Sequence, residues 1–249
     1  MVVIQATWFK DWLRYSYALH TFWNKTLGEV KILYSDVNGF VLFAEWPRGR
    51  RSRGGLFIFY ENNIRKFIGK WLDYAAELGF DLILITKEEV YFPSDAQSIF
   101  FIWRLEEASF LEPSQDVEVR VLDYGEAVDI VRRVTKESWG FSISPRRELH
   151  LVVSAWLGEK PVGVAMLNKY NFNIDFGVHV VRGYWRRRIG TRLLSEAAAL
   201  AESLGAEYLT VVRVLRRSSA DKKALSFYKA NKPSLVLRVQ RLARHSYGI

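Results

Sequence analysis

Three consecutive arginines stand directly before a glycine and an amphipathic helix in the segment "GYWRRRIGTRLL", residues 183–194. A strand that turns directly into a helix leaves the first helical N–H groups without acceptors, and with the helix dipole they form an anion site. Gly190 has no side chain that would hold a phosphate away, and arginines donate charge-assisted hydrogen bonds to phosphate oxygens. The segment therefore predicts a site for a phosphorylated ligand, with a solvated basic surface as the alternative.

The elements that would position this segment follow from periodicity in the second half of the chain. Alternating apolar residues predict strands, and apolar residues three and four apart predict helices. The predicted order is strand, helix, three strands, helix, strand, helix and strand, over residues 117–124, 125–139, 149–157, 161–170, 173–181, 189–205, 206–214, 219–231 and 234–242. A polar break around Pro113 precedes this series. We therefore predict two domains of mixed α/β (α+β) structure, residues 1–113 and 114–249.

Composition excludes several kinds of chemistry. The chain has 249 residues, no cysteine and a net charge of +9. Without cysteine there are no disulfides, thiolate metal sites or cysteine nucleophiles. The four histidines, at positions 20, 150, 179 and 245, are too scattered for local metal-ligand spacing, so no metal is expected. The charge favours an anionic partner. Because no signal peptide or apolar run of about 20 residues is present, we expect a cytoplasmic protein without membrane association.

Three pieces of the second half carry a family resemblance. They are the hairpin "GEKPVG", the loop and helix start "VVRGYWRRRIGTRLL", and "DKKALSFY", in which Asp221, Ala224 and Tyr228 match the spacing Asn-x-x-Ala-x-x-x-Tyr. Over about residues 115–241 the chain resembles the GNAT superfamily of acetyl-CoA-dependent N-acetyltransferases. The resemblance implies a mixed central sheet flanked by helices. It also implies acetyl transfer from acetyl-CoA, as cosubstrate, to a primary amine on a protein N-terminus, a lysine or a small molecule.

The sequence departs from the family pattern at several loop positions. Arg182 stands where the family usually has proline, Trp185 where it has glutamine or arginine, and Arg188 where it has the first glycine. Gly190 keeps the last small residue, and Asp221 replaces the asparagine. These departures leave open whether Arg188 binds phosphates or keeps them out.

The resemblance implies a cofactor-binding set. Its members on this chain are Val180, Val181, Arg182, Arg186, Arg187, Arg188, Ile189, Gly190, Thr191 and Asp221. The pantetheine arm of acetyl-CoA would pair with backbone groups around Val180, as an added strand does. It would lie in a gap between the predicted strands 173–181 and 206–214.

The resemblance also implies candidate catalytic residues. Tyr228 would lie near the sulfur and donate to the leaving thiolate, or else be a core tyrosine with its hydroxyl at the edge. The general base would be Asp175 or His179, which share one face of a regular strand, although a bulge would change this. A structural histidine and proton loss to ordered water are the alternatives.

The first half contains a segment similar to the second. "FIGKWLDYAAELGFDLILI" and "RIGTRLLSEAAALAESLGAEYLTVV" each have Ile-Gly, a helix with a double alanine, Leu-Gly and a strand. This pattern suggests a degenerate GNAT-like copy in residues 1–113, whose central sheet should superimpose on that of the second half. Two ordinary strand-helix-strand units, or a domain for substrate recognition, are the alternatives.

A second basic cluster, "RGRRSR", covers residues 48–53. Its arginines could attract RNA or an acidic substrate, although a solvated loop would look the same. The cluster supports a different class of function, in which a GNAT-like fold has lost catalysis and binds nucleic acid or a partner protein.

Overall fold

The structure is a computed structural model that describes residues 6–15, 28–48, 51–61, 64–87, 90, 92–216 and 219–242. The chain divides into two compact units. The first comprises Met1–Phe100, Val214–Arg217 and Leu235–Ile249, and the second Phe101–Arg213 and Ser218–Ser234.

The division differs from the predicted boundary at residue 113. Strand β5, Ser94–Arg104, belongs to the first unit up to Phe100 and to the second unit from there on. The polar break around Pro113 is an irregular segment inside the second unit. The final strand β11, Leu235–Leu242, belongs to the first unit. A polar break in sequence marks a surface connection, whereas unit membership depends on non-local pairing.

The first unit contains a helix, three strands, a helix and further strands. They are α1 Ala6–Tyr15, β1 Val30–Asp36, β2 Gly39–Arg48, β3 Arg51–Tyr60, α2 Ile64–Leu78 and β4 Asp81–Thr86, followed by β5 and β11. Within this unit the strands lie in the order β1-β2-β3-β4-β11-β5. β1 to β3 are antiparallel neighbours, and β4 runs parallel to β3 and antiparallel to β11. Every residue of β4 is buried, as its continuous apolar run "LILI" requires.

The second unit follows the predicted order of elements. They are β6 Glu118–Leu122, α3 Tyr124–Trp139, β7 His150–Leu157, β8 Lys160–Asn168, β9 Ile174–Val180, α4 Ile189–Ser203, β10 Tyr208–Val214 and α5 Ser219–Ala230. β6, β7, β8 and β9 form an antiparallel sheet in that order. The predicted mixed α/β fold with helices against a sheet is confirmed.

Helix α4 lies close against β8. A Cβ at Gly163 on β8 would lie 2.8 Å from Cδ1 of Leu193 and 3.0 Å from the His179 carbonyl oxygen, so glycine lets the helix approach the strand closely. The apolar residues of α4 recur three and four residues apart, and Leu193, Leu194 and Ala197 among them are buried. On the α3 side, apolar residues of the helix and of β7 and β8 form one core cluster. Within the described ranges, no helix has the length and apolar character that crossing a membrane requires.

The two units share an order of elements. Each has a helix, three antiparallel strands, a helix of 15 residues and a strand that runs parallel to the third strand where the two meet. This order is compatible with a repeat. Superposition of the two central sheets stays a prediction.

Candidate active site

Strands β9 and β10 meet at one end only. A parallel bridge joins Asn173 and Thr210, and the N–H of Thr210 donates to the carbonyl of Phe172 at 3.1 Å. Beyond this point β9 is the edge strand of the four-stranded sheet, and among the described residues it has no pairing with β10. The expected separation of these strands is confirmed, and it leaves one edge of β9 open.

A bulge in β9 accompanies the separation. Phe176 and Gly177 have φ values of 63° and 83°, in the left-handed region. Val164 pairs with His179 and Met166 with Asp175, so β9 advances four residues along the sheet where β8 advances two. A Cβ at Gly177 would lie 2.6 Å from the Tyr228 hydroxyl oxygen. Glycine is therefore required here both by the backbone and by the tyrosine.

Two backbone groups on the open edge of β9 already have partners. The N–H of Val181 donates to β8 at 2.9 Å, and because backbone groups alternate along a strand, those of Val178 and Val180 face away from β8. The Val178 N–H donates to the hydroxyl oxygen of Tyr228 at 3.0 Å. The Val180 carbonyl accepts from the indole Nε1–H of Trp185 at 2.7 Å. Both groups point to where an added strand would pair.

Tyr228 is a buried phenol whose hydroxyl reaches the strand edge. Its ring packs between aromatic side chains, with centroids 5.1 Å from Phe101, 6.4 Å from Trp103 and 4.9 Å from Phe227. Burial raises the pKa of Tyr228, while the Val178 N–H and the charge of Arg213 act in the opposite direction. The hydroxyl keeps its proton at neutral pH, and among the described residues that proton has no acceptor.

Asp175 lies in a buried polar network where β9 and β10 meet. It has no exposed surface, and its carboxylate accepts from His150 Nε2 at 3.0 Å, Asn168 Nδ2 at 3.1 Å and Asn173 Nδ2 at 2.6 Å. Asn173 Oδ1 in turn accepts from the Thr210 hydroxyl at 3.1 Å. The network ties the two strands together at the closed end of the gap.

The neighbour of Asp175 in this network, His150, is fixed in one tautomer. Its Nδ1 accepts the backbone N–H of Arg146 at 2.8 Å, so the proton is on Nε2 and is donated to Asp175. With both ring nitrogens engaged, this aspartate–histidine pair cannot activate a nucleophile.

His179 lies in a separate environment on the α3 side. Its Nδ1 is 3.2 Å from the Ser138 hydroxyl, and its ring meets Trp139 edge-on with centroids 4.1 Å apart. Nε2 is buried and, among the described residues, has no hydrogen-bond partner. Burial lowers the pKa of His179 to about 4, with the Phe176 carbonyl opposing the shift and Arg213 adding to it. His179 is therefore neutral at pH 7, and it does not contact Asp175.

The loop between β9 and α4 presents the three arginines to solvent. Arg186, Arg187 and Arg188 are exposed, and Arg186 and Arg188 have φ values of 64° and 60°. Arg188 is the N-cap of α4, at the position where the family pattern has glycine. On the inner side, Val181, Ile189 and Thr191 are buried. The loop thus places three exposed basic residues directly before the first turn of a helix whose inner side is buried.

Other predicted cofactor-binding residues make contacts within the unit. Arg182 Nε donates to the Ser138 carbonyl at 3.3 Å. A Cβ at Gly190 would lie 3.1 Å from the ring of Phe227 and 3.8 Å from Val180 Cγ2. The missing side chain of Gly190 therefore lets α4 pack against α5, and close approach of a phosphate there stays a prediction.

A buried ion pair lies beside the gap and was not predicted. Asp221 Oδ1 accepts from Arg213 Nε at 3.0 Å and Nη2 at 2.7 Å. Asp221 is buried and Arg213 is mostly buried. The sequence signal was a single arginine within the apolar strand "LTVVRV", followed eight residues later by a lone acid. Trp185 and Gly177 were also missed as contact residues, because their partners depend on the bulge.

Comparison with known proteins identifies the second unit. A model of the acetyltransferase (GNAT) family matches residues 101–231, more than half of the chain. No curated protein sequence matches the chain significantly.

Several solved structures are similar to the chain at low identity. A GCN5-related N-acetyltransferase from Kribbella flavida is 13% identical, with a TM-score of 0.48 over 86% of this chain and 90% of that one. A second, from Sphaerobacter thermophilus, is 15% identical, with a TM-score of 0.46 over 81% and 76% of the two chains. An aminoglycoside acetyltransferase from an uncultured soil metagenomic sample is 21% identical, with a TM-score of 0.38 over 48% and 89%. Structural similarity at these TM-scores does not assign a family, and the family assignment depends on the family model alone.

Proposed function

The chain belongs to the acetyltransferase (GNAT) family of acyltransferases, and from that premise we propose that it transfers an acetyl group from acetyl-CoA to a primary amine. The amine would belong to a protein N-terminus, a lysine or a small molecule. The main support for this proposal is the open edge of β9. There Val178 and Val180 direct backbone groups into the gap, beside a basic loop and the N-terminus of α4.

The described residues fit acetyl-CoA in two respects. The extended pantetheine arm contains amide groups, which pair with an open strand edge such as that of Val180. Its phosphates suit the first N–H groups of α4 and the exposed side chains of Arg186, Arg187 and Arg188. When bound, acetyl-CoA supplies an acetyl thioester whose carbonyl carbon bonds to the amine nitrogen as the bond to sulfur breaks.

Tyr228 is placed to serve the leaving group. Its oxygen accepts the Val178 N–H, which leaves its own proton free to be donated toward the gap. A buried phenol that keeps its proton at neutral pH can transfer it to a thiolate, while the amine loses a proton to solvent or to a base. Arg213, held by Asp221, places a positive charge near this phenol and favours the developing negative charge.

We assign supporting roles to the two residues predicted as general bases. Asp175 has no exposed surface and accepts from three side-chain donors, so it holds the closed end of the gap in place. His179 has a pKa of about 4, so the neutral ring is a weak base. The amine would then attack in its neutral form and lose its proton through water. The rate should rise with pH toward the pKa of the amine, without an inflection near 6.5.

A thiol-release assay tests the proposal. The full chain is incubated with acetyl-CoA and a panel of primary amines: peptides with a free α-amine, peptides with a lysine, polyamines and aminoglycosides. The expected result is free CoA together with an acceptor heavier by one acetyl group. Failure with every amine, combined with the absence of acetyl-CoA binding, would contradict the proposal and favour the nucleic-acid or protein-binding alternative. That alternative depends on residues 48–53, of which 49–50 lie outside the described residues, and it stays a prediction.

A further inference from the structure

The indole of Trp185 occupies a backbone acceptor that the proposed ligand needs. Trp185 Nε1 donates to the Val180 carbonyl at 2.7 Å, a short and well-formed hydrogen bond. That carbonyl faces away from β8, toward the gap where the pantetheine arm would pair. The arm and the indole N–H therefore approach the same carbonyl from the same side.

Trp185 is held there without being buried. The residue is 45% exposed, although tryptophan is a large apolar residue. Besides the hydrogen bond to Val180, it has a cation–π contact with Lys223 of α5, whose Nζ lies 5.3 Å from the ring centroid. Because water competes for both contacts at an exposed site, each contributes little net free energy. The indole can therefore leave the Val180 carbonyl at a small cost in free energy.

The structure thus shows two of the gap-facing groups of β9 satisfied by the protein itself, the Val178 N–H by Tyr228 and the Val180 carbonyl by Trp185. An open strand edge is a liability, and side chains that cover it protect it. The two side chains differ in one respect: Tyr228 is packed among aromatic rings, whereas Trp185 is exposed on the loop. Trp185 is therefore the one that can move.

We propose that Trp185 is a placeholder for the pantetheine arm, which keeps the Val180 carbonyl paired until coenzyme A displaces the indole. This proposal rests on the proposed function. Because the ligand must break the indole hydrogen bond before it forms its own, Trp185 lowers the apparent affinity for coenzyme A. It also makes the site selective for ligands that offer an amide N–H at this position.

Calorimetric titration of the full chain with coenzyme A tests the proposal on Trp185→Phe. Phenylalanine keeps an aromatic ring but has no N–H, so we expect coenzyme A to bind about three- to tenfold more tightly than to the parent chain. Trp156→Phe is the matched control, because its indole donates to Ser154 at 2.8 Å on β7, away from the gap. It should leave the affinity unchanged.

Nitrogen-15 spectra of the indole groups give an independent readout. The Nε1–H signal of Trp185 is assigned by its loss in Trp185→Phe. It should exchange slowly with solvent in the free chain and quickly once coenzyme A is added. A merely structural indole would keep the same exchange rate in both states.

The outcomes separate this proposal from the proposed function. Binding only by Trp185→Phe, or tighter binding by it, supports the placeholder. Equal or weaker binding by Trp185→Phe overturns the placeholder and leaves the proposed function standing. Absence of binding by the parent chain and by both variants overturns the placeholder and the proposed function together.

Discussion

The two units contain the same strand-helix-strand arrangement in a closed and an open form. In the first unit, which we call the closed unit, β3 and β4 pair in parallel over Gly55–Phe59. In the second, which we call the open unit, β9 and β10 meet only at Asn173 and Thr210. The closed pair has no room for a ligand strand, whereas the open pair leaves backbone groups of β9 facing a gap. Similar order of elements therefore does not imply similar capacity to bind.

The connections after the third strands show why the two forms differ. In the first unit, β3 ends at Tyr60 and α2 begins at Ile64, with "ENN" between them. In the second, β9 ends at Val180 and α4 begins at Ile189, with "VRGYWRRR" between them. The longer basic connection can surround a phosphate, and the bulge in β9 turns the strand away from its neighbour. The chemistry of the molecule is thus expected in the second unit alone.

The largest effect should come from removing the hydroxyl at the open edge. Tyr228→Phe should lower kcat by about 10²-fold or more, with little change in KM, because it removes the proton donor and keeps the ring. Steady-state acetyl transfer measures the change. Tyr34→Phe is the matched control, since the Tyr34 hydroxyl donates to Asp36 in the closed unit at 2.6 Å. If Tyr228→Phe kept the kcat of the parent chain, Tyr228 would not be the proton donor.

Each unit also contains a buried ion pair, and the pairs should differ in their effect on activity. Asp81 pairs with Arg53 in the closed unit, and Asp221 with Arg213 beside the gap. Replacing either aspartate by alanine leaves a largely buried arginine uncompensated, which costs about 3 kcal/mol. We expect both variants to unfold at lower temperature. Only Asp221→Ala should also reduce kcat at a temperature where the chain is folded. An equal kcat loss in Asp81→Ala would show that the loss is not specific to the ion pair beside the gap.

The open unit was the more predictable of the two. Its helices followed from apolar spacing, as in α4 with Leu193 and Ala197, and its loop from three arginines before a glycine. These are local signals, readable within a few residues. The bulge at Phe176 and Gly177 and the Trp185 hydrogen bond depend on residues brought together by the fold, and no local pattern encodes them. The Arg213 ion pair left only the signal of an isolated arginine in an apolar strand.

The placement of β11 and β5 shows the same limit in the first unit. The predicted strand over residues 234–242 is confirmed as β11, yet its neighbour β4 lies about 150 residues earlier in the sequence. Strand β5 was not predicted, and a single sequence offers no pairing signal across such separations. The aromatic-rich segment 6–26 also predicts a helix, of which the structure describes Ala6–Tyr15, while residues 16–26 lie outside the described residues.

Acid should destabilise the open unit through His179. Its pKa is lowered from 6.5 to about 4, so between these values the unfolded chain binds a proton that the folded chain excludes. The contribution of neutral His179 to the free energy of unfolding is therefore fully present above pH 6.5, and up to about 3 kcal/mol of it is lost as the pH drops to 4. The described residues of the first unit include no histidine. Denaturant unfolding at several pH values measures this, and His179→Gln should lose that part of the dependence. An unchanged pH profile in the variant would contradict the buried neutral ring.

The smallest effect should come from backbone strain at the start of α4. Arg188 has a φ of 60°, so Arg188→Gly should raise the free energy of unfolding by up to about 1 kcal/mol. Gly79, after α2 in the closed unit, has a φ of 65° with open space around it. Gly79→Ala should lower stability by a similar amount. Chemical denaturation measures both changes, and a loss of stability in Arg188→Gly would show that the arginine side chain contributes more than the strain costs.

Hydrogen–deuterium exchange with and without acetyl-CoA shows whether the acetyl-CoA site lies at the open edge of β9. We expect acetyl-CoA to slow exchange in peptides covering residues 178–192, where the open edge of β9 and the N-terminus of α4 lie. Peptides covering β3 and β4 should be unchanged. Unaltered exchange at residues 178–192, or protection of β3 and β4 instead, would contradict the assignment of the acetyl-CoA site to the open strand pair.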